Sequence, residues 1–213
     1  MRPATLLNLC EAAYDKRRAA RLNGVVVDPV GMGGRAVYLE RPNERWQVVV
    51  IRGTAGGGPA LVSNIVDDLL GFKSAPTRLA PGMGKVHAGF LRHFAALWPD
   101  LADLIDPSRP LIVTGFSLGG GVAPLVGLAA KDLLNIDKVR VVTFGAPACA
   151  DAQFSGYMEM RMPLLHVQLP GDPITWATRP LGFKHAGRIT QLQRPKGWRL
   201  HTHNRNLYRE ALR

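Results

Sequence analysis

Short apolar runs alternate along the chain with longer amphipathic segments. Four short runs consist almost entirely of apolar or β-branched side chains, a pattern typical of strands that are buried on both faces. These runs lie at residues 47–51, 111–114, 139–144 and 164–168. Residues 87–104 and 118–134 instead repeat apolar side chains at helical spacing, so each segment is predicted to be a helix.

Weaker patterns complete the chain. Residues 24–30 and 35–41 are β-prone and flank a glycine turn, whereas residues 74–85 carry the glycines and prolines of a loop. Further helices are predicted at residues 5–21, 64–70 and 203–212. Strands that alternate with helices favour an α/β fold with a mostly parallel central sheet flanked by helices. We expect a single domain over residues 1–213, since this length suffices for one buried core.

Three candidate side chains each follow one of the buried strands: Thr54, Ser117 and Asp172. In parallel sheets, binding and catalytic groups gather where the strands end. Because the carboxyl ends of parallel strands meet at one edge of the sheet, we expect these three residues to lie close together.

The residues Gly115-Phe-Ser-Leu-Gly fit the nucleophile-elbow pattern G-x-S-x-G. In that pattern the serine occupies a sharp strand-to-helix turn, and its small neighbours let the two elements approach closely. An apolar strand before the serine and an apolar helix after it are the context that the pattern requires. We therefore predict that Ser117 is a nucleophile and that the Leu118 N–H, at a helix N-terminus, stabilises an oxyanion. The alternative is an inert serine in a glycine-rich turn.

A serine nucleophile needs a histidine base and an acid that orients this base, and α/β-hydrolases carry them in the order Ser, Asp, His. Asp172 follows an apolar run within a Gly-Asp-Pro turn, so it is the preferred acid. Its alternative role is to cap its own turn. Asp151 is a second acid after the serine, but its position favours the cap of a following helix.

Four histidines follow the serine in the sequence. His166 lies inside an apolar strand and is predicted to be a hydrogen-bonded core residue, and His185 lies in a basic loop. His201 and His203 are two residues apart before the last helix, so one of them would point at Ser117. The residues alone leave both open as the base. As metal ligands the pair lacks a nearby third ligand, so no metal site is predicted.

Several motifs together resemble the class 3 (fungal-type) lipase family. They follow the family's order from about residue 47 to residue 212, and this shared order makes the resemblance specific. The motifs are Arg52-Gly-Thr, Asn64-Ile-Val-Asp-Asp-Leu, Val86-His-Ala-Gly-Phe, Gly115-Phe-Ser-Leu-Gly-Gly, Val142-Thr-Phe-Gly-Ala-Pro, Gly171-Asp-Pro-Ile, and His203 five residues before Tyr208.

The resemblance implies an α/β-hydrolase fold and a role for each matching residue. It implies Ser117 as the nucleophile, Asp172 as the acid and His203 as the base. It favours His203 over the neighbouring histidine because of the tyrosine spacing. Thr54 would match the oxyanion-hole residue of the family and would act with the Leu118 N–H.

The resemblance also implies a lid between residues 56 and 70. The chain departs from the family at Phe116, where a histidine usually precedes the serine. Because that histidine is not a triad member, we expect the change to affect local packing more than chemistry. The segment between Asp172 and His203 also looks short for the family.

The predicted function is that of a serine esterase or lipase. Its substrates would be lipid esters, such as glycerides or phospholipids, and the reaction would pass through an acyl-enzyme. An acyltransferase or a thioesterase could use the same three residues. A non-catalytic module that binds lipid or nucleic acid is the alternative outside enzymes. No cofactor is expected.

The net charge of +11 is concentrated at one end of the chain. Residues 179–213 hold nine Lys or Arg residues and a single acid. Such a segment would suit an anionic lipid surface, or it is a solvated basic face. Nucleic acid is the less favoured partner, because neither zinc-finger spacing nor an aromatic–basic stacking motif is present. The sequence does not define an oligomeric state.

The sequence carries neither a recognisable secretory signal nor a run of about 20 apolar residues. The apolar stretch near the start is short and is interrupted by Asn8. A cytoplasmic location is therefore the default expectation, and export without a cleaved signal stays open.

Overall fold

The structure is a computed structural model that describes residues 1–29, 35–40, 45–54, 74–76, 79–195 and 203–213. The predicted helix at residues 64–70 and the predicted lid at residues 56–70 lie outside these residues, as does His201. No helix in the described part of the chain is both long and apolar enough to cross a membrane.

Nine strands and six α-helices occur within the described residues. The strands are β1 (Gly24–Val27), β2 (Ala36–Leu39), β3 (Gln47–Ile51), β4 (Ser74–Pro76), β5 (Lys85–His87), β6 (Leu111–Phe116), β7 (Val139–Phe144), β8 (Leu164–Gln168) and β9 (Arg188–Gln191). The helices are α1 (Pro3–Cys10), α2 (Lys16–Arg21), α3 (Ala88–Leu104), α4 (Leu118–Leu133), α5 (Ala152–Arg161) and α6 (Arg205–Ala211). Short 3₁₀ helices are formed by Glu11–Tyr14, Pro173–Trp176 and Arg179–Leu181.

Seven strands form one sheet in the order β1-β2-β3-β6-β7-β8-β9. The five strands from β3 to β9 run parallel, and β1 and β2 add antiparallel strands at one edge. The predicted fold class, a mostly parallel sheet flanked by helices, is confirmed. Because β3, β6, β7 and β8 are parallel neighbours, the loops that follow them all leave the same edge of the sheet.

Helices cover both faces of the sheet, which explains why the central strands are apolar along their whole length. All six residues of β6 are buried. Helices α3, α4 and α5 pack on one face, in a core that includes Phe90, Leu97, Val113, Leu125 and Phe154. Helices α1 and α6 pack on the other face, in a core that includes Leu6, Leu7, Val50, Phe144 and Leu207. Each fully buried side chain of this size contributes about 1.5–3 kcal/mol.

The predicted helix at residues 5–21 is wrong as one continuous element. The chain forms α1, a 3₁₀ turn and α2 instead, because Asp15 is extended, with φ −131° and ψ 108°. Its carboxylate accepts hydrogen bonds from the N–H groups of Arg17 and Arg18, so it starts a new helix. The turn between α1 and α2 carries Tyr14, whose contact with the candidate site is described below.

Other differences are smaller. Residues 74–76, predicted as part of a loop, form β4 and pair antiparallel with β5. The strand β9, whose side chains are mostly exposed, was not among the predicted strands. The last helix begins at Arg205 rather than at residue 203, because the Asn204 side chain accepts the Asn206 N–H at 2.8 Å and caps it. His203 therefore lies in the extended segment before α6.

Candidate active site

Ser117 occupies a sharp turn between β6 and α4. Its backbone has φ 59° and ψ −131°, a conformation that L-residues rarely adopt and that costs about 1–3 kcal/mol. The turn is held because the Ser117 N–H donates to the Phe144 carbonyl at 2.9 Å, while the Ser117 carbonyl accepts the Gly120 N–H at 2.9 Å. The strained backbone thus directs the hydroxyl out of the plane of the sheet.

The two glycines of the G-x-S-x-G pattern are required by close backbone contacts. A Cβ atom on Gly115 would lie 2.5 Å from the Gly119 carbonyl. A Cβ atom on Gly119 would lie 2.3 Å from the Ile51 carbonyl of β3. Neither contact tolerates a side chain, so these glycines bring β3, β6 and α4 together around Ser117.

The loop after β3 lies directly beside the serine. A Cβ atom on Gly53 would be 3.2 Å from the Ser117 Cβ and 2.5 Å from the Phe116 carbonyl. Thr54 follows on this loop and is half-buried. Leu118 is the first residue of α4, so its N–H is one of the donors that an α-helix leaves unpaired at its N-terminus. The structure therefore brings the two predicted oxyanion-hole positions to the same edge as Ser117.

His203 bridges Ser117 and Asp172. The His203 Nε2 is 2.8 Å from the Ser117 Oγ, and the His203 Nδ1 is 3.0 and 2.9 Å from the two carboxylate oxygens of Asp172. An ionised carboxylate only accepts hydrogen bonds, so Nδ1 carries the proton and Nε2 is left as an acceptor for the serine hydroxyl. This arrangement can remove a proton from Ser117.

Asp172 is fully buried and is surrounded by donors. Its carboxylate accepts the Tyr208 hydroxyl at 2.6 Å and the Ile174 N–H at 3.0 Å, in addition to His203. Asp172 therefore also caps its own turn, which was the alternative role predicted for it. Asp151 caps α5 through the Phe154 N–H at 2.9 Å, as expected from its position.

Phe116 packs against the imidazole of His203. The two rings are stacked, with 4.9 Å between their centroids, and Phe116 also contacts the edge of Tyr208 at 5.5 Å. The phenylalanine that departs from the expected motif therefore supports one face of the histidine. The side chain of His203 is only 5% exposed as a result of this packing and its contact with Asp172.

The comparison with known protein families assigns the chain. The model of the family described as lipase (class 3) matches residues 48–180, which is more than half of the chain. The chain belongs to the class 3 lipase family. No curated protein matches the chain at a significant level.

Several solved structures that are similar to the chain are described as lipases. A propeptide complex of Rhizomucor miehei lipase, in a deletion mutant, has a TM-score of 0.74 and 22% identity, and the match covers 89% of this chain and 64% of that chain. A triacylglycerol lipase with a serine protease triad has a TM-score of 0.73 and 21% identity, and the match covers 88% of this chain and 77% of that chain. A lipase from Rhizopus microsporus var. chinensis has a TM-score of 0.72 and 21% identity, and the match covers 88% of this chain and 72% of that chain. This chain thus spans less than two thirds of the first of these proteins, and at these identities the matches show the α/β-hydrolase fold.

In this class 3 lipase, Tyr14 contacts the loop beside the serine, and no sequence pattern predicted this contact. The Gly53 N–H donates to the Tyr14 Oη at 3.1 Å. The guanidinium of Arg205, on α6, lies over the Tyr14 ring with 3.9 Å between Cζ and the ring centroid. Burial raises the pKa of Tyr14 to about 12, so its hydroxyl stays protonated. Tyr14 therefore links the helix that follows His203 to the loop that follows β3.

The remaining histidines of the described residues have other surroundings. His166 is a buried core residue, as predicted: its Nε2 donates to the Ala186 carbonyl at 2.8 Å, and its Nδ1 accepts the Thr143 hydroxyl at 2.7 Å. Burial, with a smaller effect of His185, lowers its pKa to about 3. Burial likewise lowers the pKa of His185 to about 4. His87 caps α3 and is buried.

No group of three or more His, Cys, Asp or Glu side chains in the described part of the chain could hold a metal ion. Among the described residues, the sheet edge carries the Ser117 hydroxyl, the His203 imidazole and the Asp172 carboxylate.

Proposed function

We propose that this class 3 lipase hydrolyses lipid esters, such as glycerides or phospholipids, through a covalent acyl-enzyme on Ser117. The observation that carries the proposal is the 2.8 Å contact between the Ser117 Oγ and the His203 Nε2, with Asp172 on the opposite side of the same imidazole. A hydroxyl, a histidine and a buried carboxylate in this order form the arrangement that activates a serine nucleophile.

In the first half of the reaction, the Ser117 oxygen attacks the ester carbonyl carbon while His203 Nε2 takes the hydroxyl proton. The carbonyl oxygen becomes an oxyanion. The protonated His203 then gives its proton to the leaving alcohol, and the acyl group remains on Ser117. In the second half, His203 removes a proton from water, whose oxygen attacks the acyl carbon. The bond between this carbon and the Ser117 oxygen then breaks, His203 returns the proton to the serine oxygen, and the carboxylic acid is released.

Asp172 stabilises the imidazolium that forms in both halves. Its carboxylate fixes the tautomer in which Nδ1 is protonated, and its negative charge favours the positively charged ring. The Tyr208 hydroxyl and the Ile174 N–H hold the carboxylate in place from two other directions. Three donors already form hydrogen bonds with the carboxylate. We therefore expect Asp172 to stabilise the charged imidazole ring while the Nδ1 proton stays on His203.

The oxyanion would be stabilised by the Leu118 N–H and by Thr54. Donors that are already aimed at the position where charge develops contribute about 2.7–4 kcal/mol each to the transition state. Tyr14 supports this side of the site, since its hydroxyl accepts the Gly53 N–H one residue before Thr54. We assign Tyr14 a positioning role, because it acts through the backbone of the loop.

Substrate must gain access to a largely enclosed serine. Ser117 is 2% exposed. Lipid esters are the proposed substrates because the chain is a class 3 lipase, and because one similar structure is described as a triacylglycerol lipase.

The test is hydrolysis of p-nitrophenyl esters and emulsified triglyceride by the wild type, by Ser117→Ala and by Ser108→Ala. Ser108 is an exposed serine whose hydroxyl contacts only Asp106 among the described residues, so Ser108→Ala is a matched control. We expect the wild type and the control to release product at the same rate. The rate of the Ser117→Ala protein should be lower by at least about 10⁴-fold. An active Ser117→Ala protein, or a folded wild type that hydrolyses neither ester, would contradict the proposal.

A further inference from the structure

Helices α1 and α6 pack on one face of the sheet but leave part of it open near the start of strands β6 to β9. Val142 and Leu165 point to this face and are only half-buried, although both lie in central strands. Together with Leu6 and Ile112 they line a cavity of about 580 Å³, a size in the range of small-molecule sites. Arg140 and Arg188 also line this cavity. We call these six residues the back trough.

The strand register explains how the two arginines lie around the apolar floor. Leu165 is paired with Val142 on one side and with Arg188 on the other, so the three side chains form one row on the same face. Arg140 lies two residues before Val142 on β7 and is therefore on that face as well. The Cα atoms of Arg140 and Arg188 are consequently roughly 12 Å apart, on two sides of Leu165.

Neither arginine is neutralised by an acid within the described residues. None of the ion pairs there includes Arg140 or Arg188, and both side chains are exposed. Arg140 lies over the Trp46 ring at 5.0 Å. The one carboxylate of the lining, Glu159, already accepts the Gly187 N–H at 2.7 Å. The two guanidinium groups thus retain donors for an anionic ligand.

We propose that the back trough is a binding site for an alkyl monocarboxylate, taken up as a single molecule from water. The alkyl chain would cover Val142 and Leu165, and the carboxylate would pair with Arg140, while Arg188 on the other side of Leu165 would add positive charge. A guanidinium binds a carboxylate with two parallel hydrogen bonds, which gives the head group a preferred position. An inorganic anion would leave the apolar floor exposed, and an uncharged lipid would leave both arginines without a partner.

The back trough is separate from the candidate active site. Ile112 and Ser117 are five residues apart along β6 and its turn, which corresponds to about 16 Å. The site would therefore bind its ligand without occupying the position of the reacting ester. Its existence does not depend on the hydrolytic function, so the test uses Ser117→Ala protein and measures binding alone.

The probe is decanoate below the concentration at which it forms micelles, and the readout is Trp46 fluorescence together with calorimetry. Trp46 contacts Arg140, so a carboxylate that engages this arginine changes the surroundings of the indole. The chain has four tryptophans, and the Trp46 contribution is obtained by subtracting the signal of Trp46→Phe. We expect a saturable Trp46 signal, with affinity rising from octanoate to dodecanoate by at most about fourfold for each methylene, the value for a fully buried methylene.

Variants separate the back trough from any other apolar site, including one near Ser117. Arg140→Ala/Arg188→Ala should bind decanoate at least tenfold more weakly. Arg140→Lys/Arg188→Lys should recover only part of the affinity, because lysine keeps the charge but not the two parallel hydrogen bonds. Arg17→Ala/Arg21→Ala removes two exposed arginines of α2 and changes the net charge by the same amount, so it is the control. We expect its affinity for decanoate to be unchanged. Circular dichroism confirms that each protein is folded.

Each of the following results would overturn the proposal. The first is equal decanoate affinity in the Arg140→Ala/Arg188→Ala protein. The second is equal affinity for decyltrimethylammonium, which has the same chain and the opposite charge. The third is a calorimetric signal without any change in Trp46 fluorescence, or a signal that appears only with lipid vesicles, since either would place binding elsewhere.

Discussion

Two histidines of this class 3 lipase each lie between a hydroxyl and an oxygen acceptor, yet their surroundings differ. His203 lies between the Ser117 hydroxyl and the Asp172 carboxylate, at 2.8 and 2.9 Å. His166 lies between the Thr143 hydroxyl and the Ala186 carbonyl, at 2.7 and 2.8 Å. Both hydroxyls are buried, and in both cases the imidazole has one protonated nitrogen and one acceptor nitrogen.

The acceptor on the far side of the ring distinguishes the two arrangements. A carboxylate stabilises the imidazolium that forms when the ring takes a proton, whereas a neutral carbonyl stabilises it much less. The pKa of His166 is lowered to about 3 by burial and by the neighbouring His185, so this ring stays neutral. Thr143 also lies within the regular strand β7, without the helix N-terminal donors that follow Ser117. The difference predicts chemistry at one histidine and structural support at the other.

The largest expected effect is the loss of activity in His203→Ala. Without an imidazole, the Ser117 proton has no acceptor, so kcat/KM should fall by at least about 10⁴-fold while the protein remains folded. Hydrolysis of p-nitrophenyl butyrate measures the activity, and circular dichroism measures the fold. A folded His203→Ala protein within tenfold of the wild type would remove the distinction between the two histidines.

The second effect tests the carboxylate itself. In Asp172→Asn the amide no longer stabilises an imidazolium and can hold the wrong tautomer, so we expect kcat to fall by about 10³–10⁴-fold with little change in KM. Steady-state kinetics with the same ester checks this. If kcat were retained, Asp172 would serve only as the cap of its own turn, through Ile174.

The third effect concerns stability rather than catalysis. His166→Ala leaves the Thr143 hydroxyl and the Ala186 carbonyl buried without their partner and opens a cavity. We expect the free energy of unfolding to fall by about 2–4 kcal/mol. The kcat/KM of the folded fraction should stay within about threefold of the wild type. Urea unfolding followed by fluorescence gives the stability. A loss of activity as large as that of His203→Ala in stable protein would contradict this role.

The fourth effect is a pH dependence of stability. The pKa of His166 is lowered from 6.5 to about 3, so the unfolded chain binds a proton more readily than the folded protein does. The contribution of His166 to the free energy of unfolding is therefore complete above about pH 6.5. It is lost as the pH falls towards 3, by about 1.4 kcal/mol per pH unit. His185, with its pKa lowered to about 4, acts in the same direction. The slope of unfolding free energy between pH 4 and 6 should be smaller in His166→Gln; an unchanged slope would contradict the assignment.

The smallest loss of kcat is expected from a change beside the loop that follows β3, which carries the proposed oxyanion-hole residue Thr54. Tyr14→Phe removes the acceptor of the Gly53 N–H, so we expect kcat to fall by about five- to tenfold with KM unchanged. Tyr157→Phe is the matched control, because it removes a tyrosine hydroxyl that donates to Asp132 at 2.9 Å rather than contacting the loop after β3. A fall in stability without a change in kcat would reduce Tyr14 to a packing residue.

The parts of the molecule that could be predicted are those encoded by local patterns. The apolar strands and the G-x-S-x-G turn were recognisable because burial on both faces and the elbow geometry each require particular residues at adjacent positions. The parallel sheet then followed from the alternation of strands and helices, and it placed Ser117 and Asp172 at one edge. The choice of His203 depended on the family resemblance, since the residues alone did not separate it from His201.

The parts that could not be predicted depend on contacts between distant segments. Tyr14 reaches Gly53 only because Asp15 interrupts the first helix, and the amphipathic pattern of residues 5–21 did not reveal that break. The stacking of Phe116 on His203 joins residues that are far apart in the sequence. The exposed strand β9 lacks the continuous apolar run that identified the buried strands.

The central claim is that Ser117 is a nucleophile activated by His203. Mass spectrometry of the folded protein after treatment with a fluorophosphonate tests it most directly, because this probe forms a covalent bond with activated serines. We predict a single adduct on Ser117 in the wild type, at least about 10³-fold slower labelling in His203→Ala, and none in Ser117→Ala. An unlabelled folded wild type, or an adduct on another serine, would contradict the account.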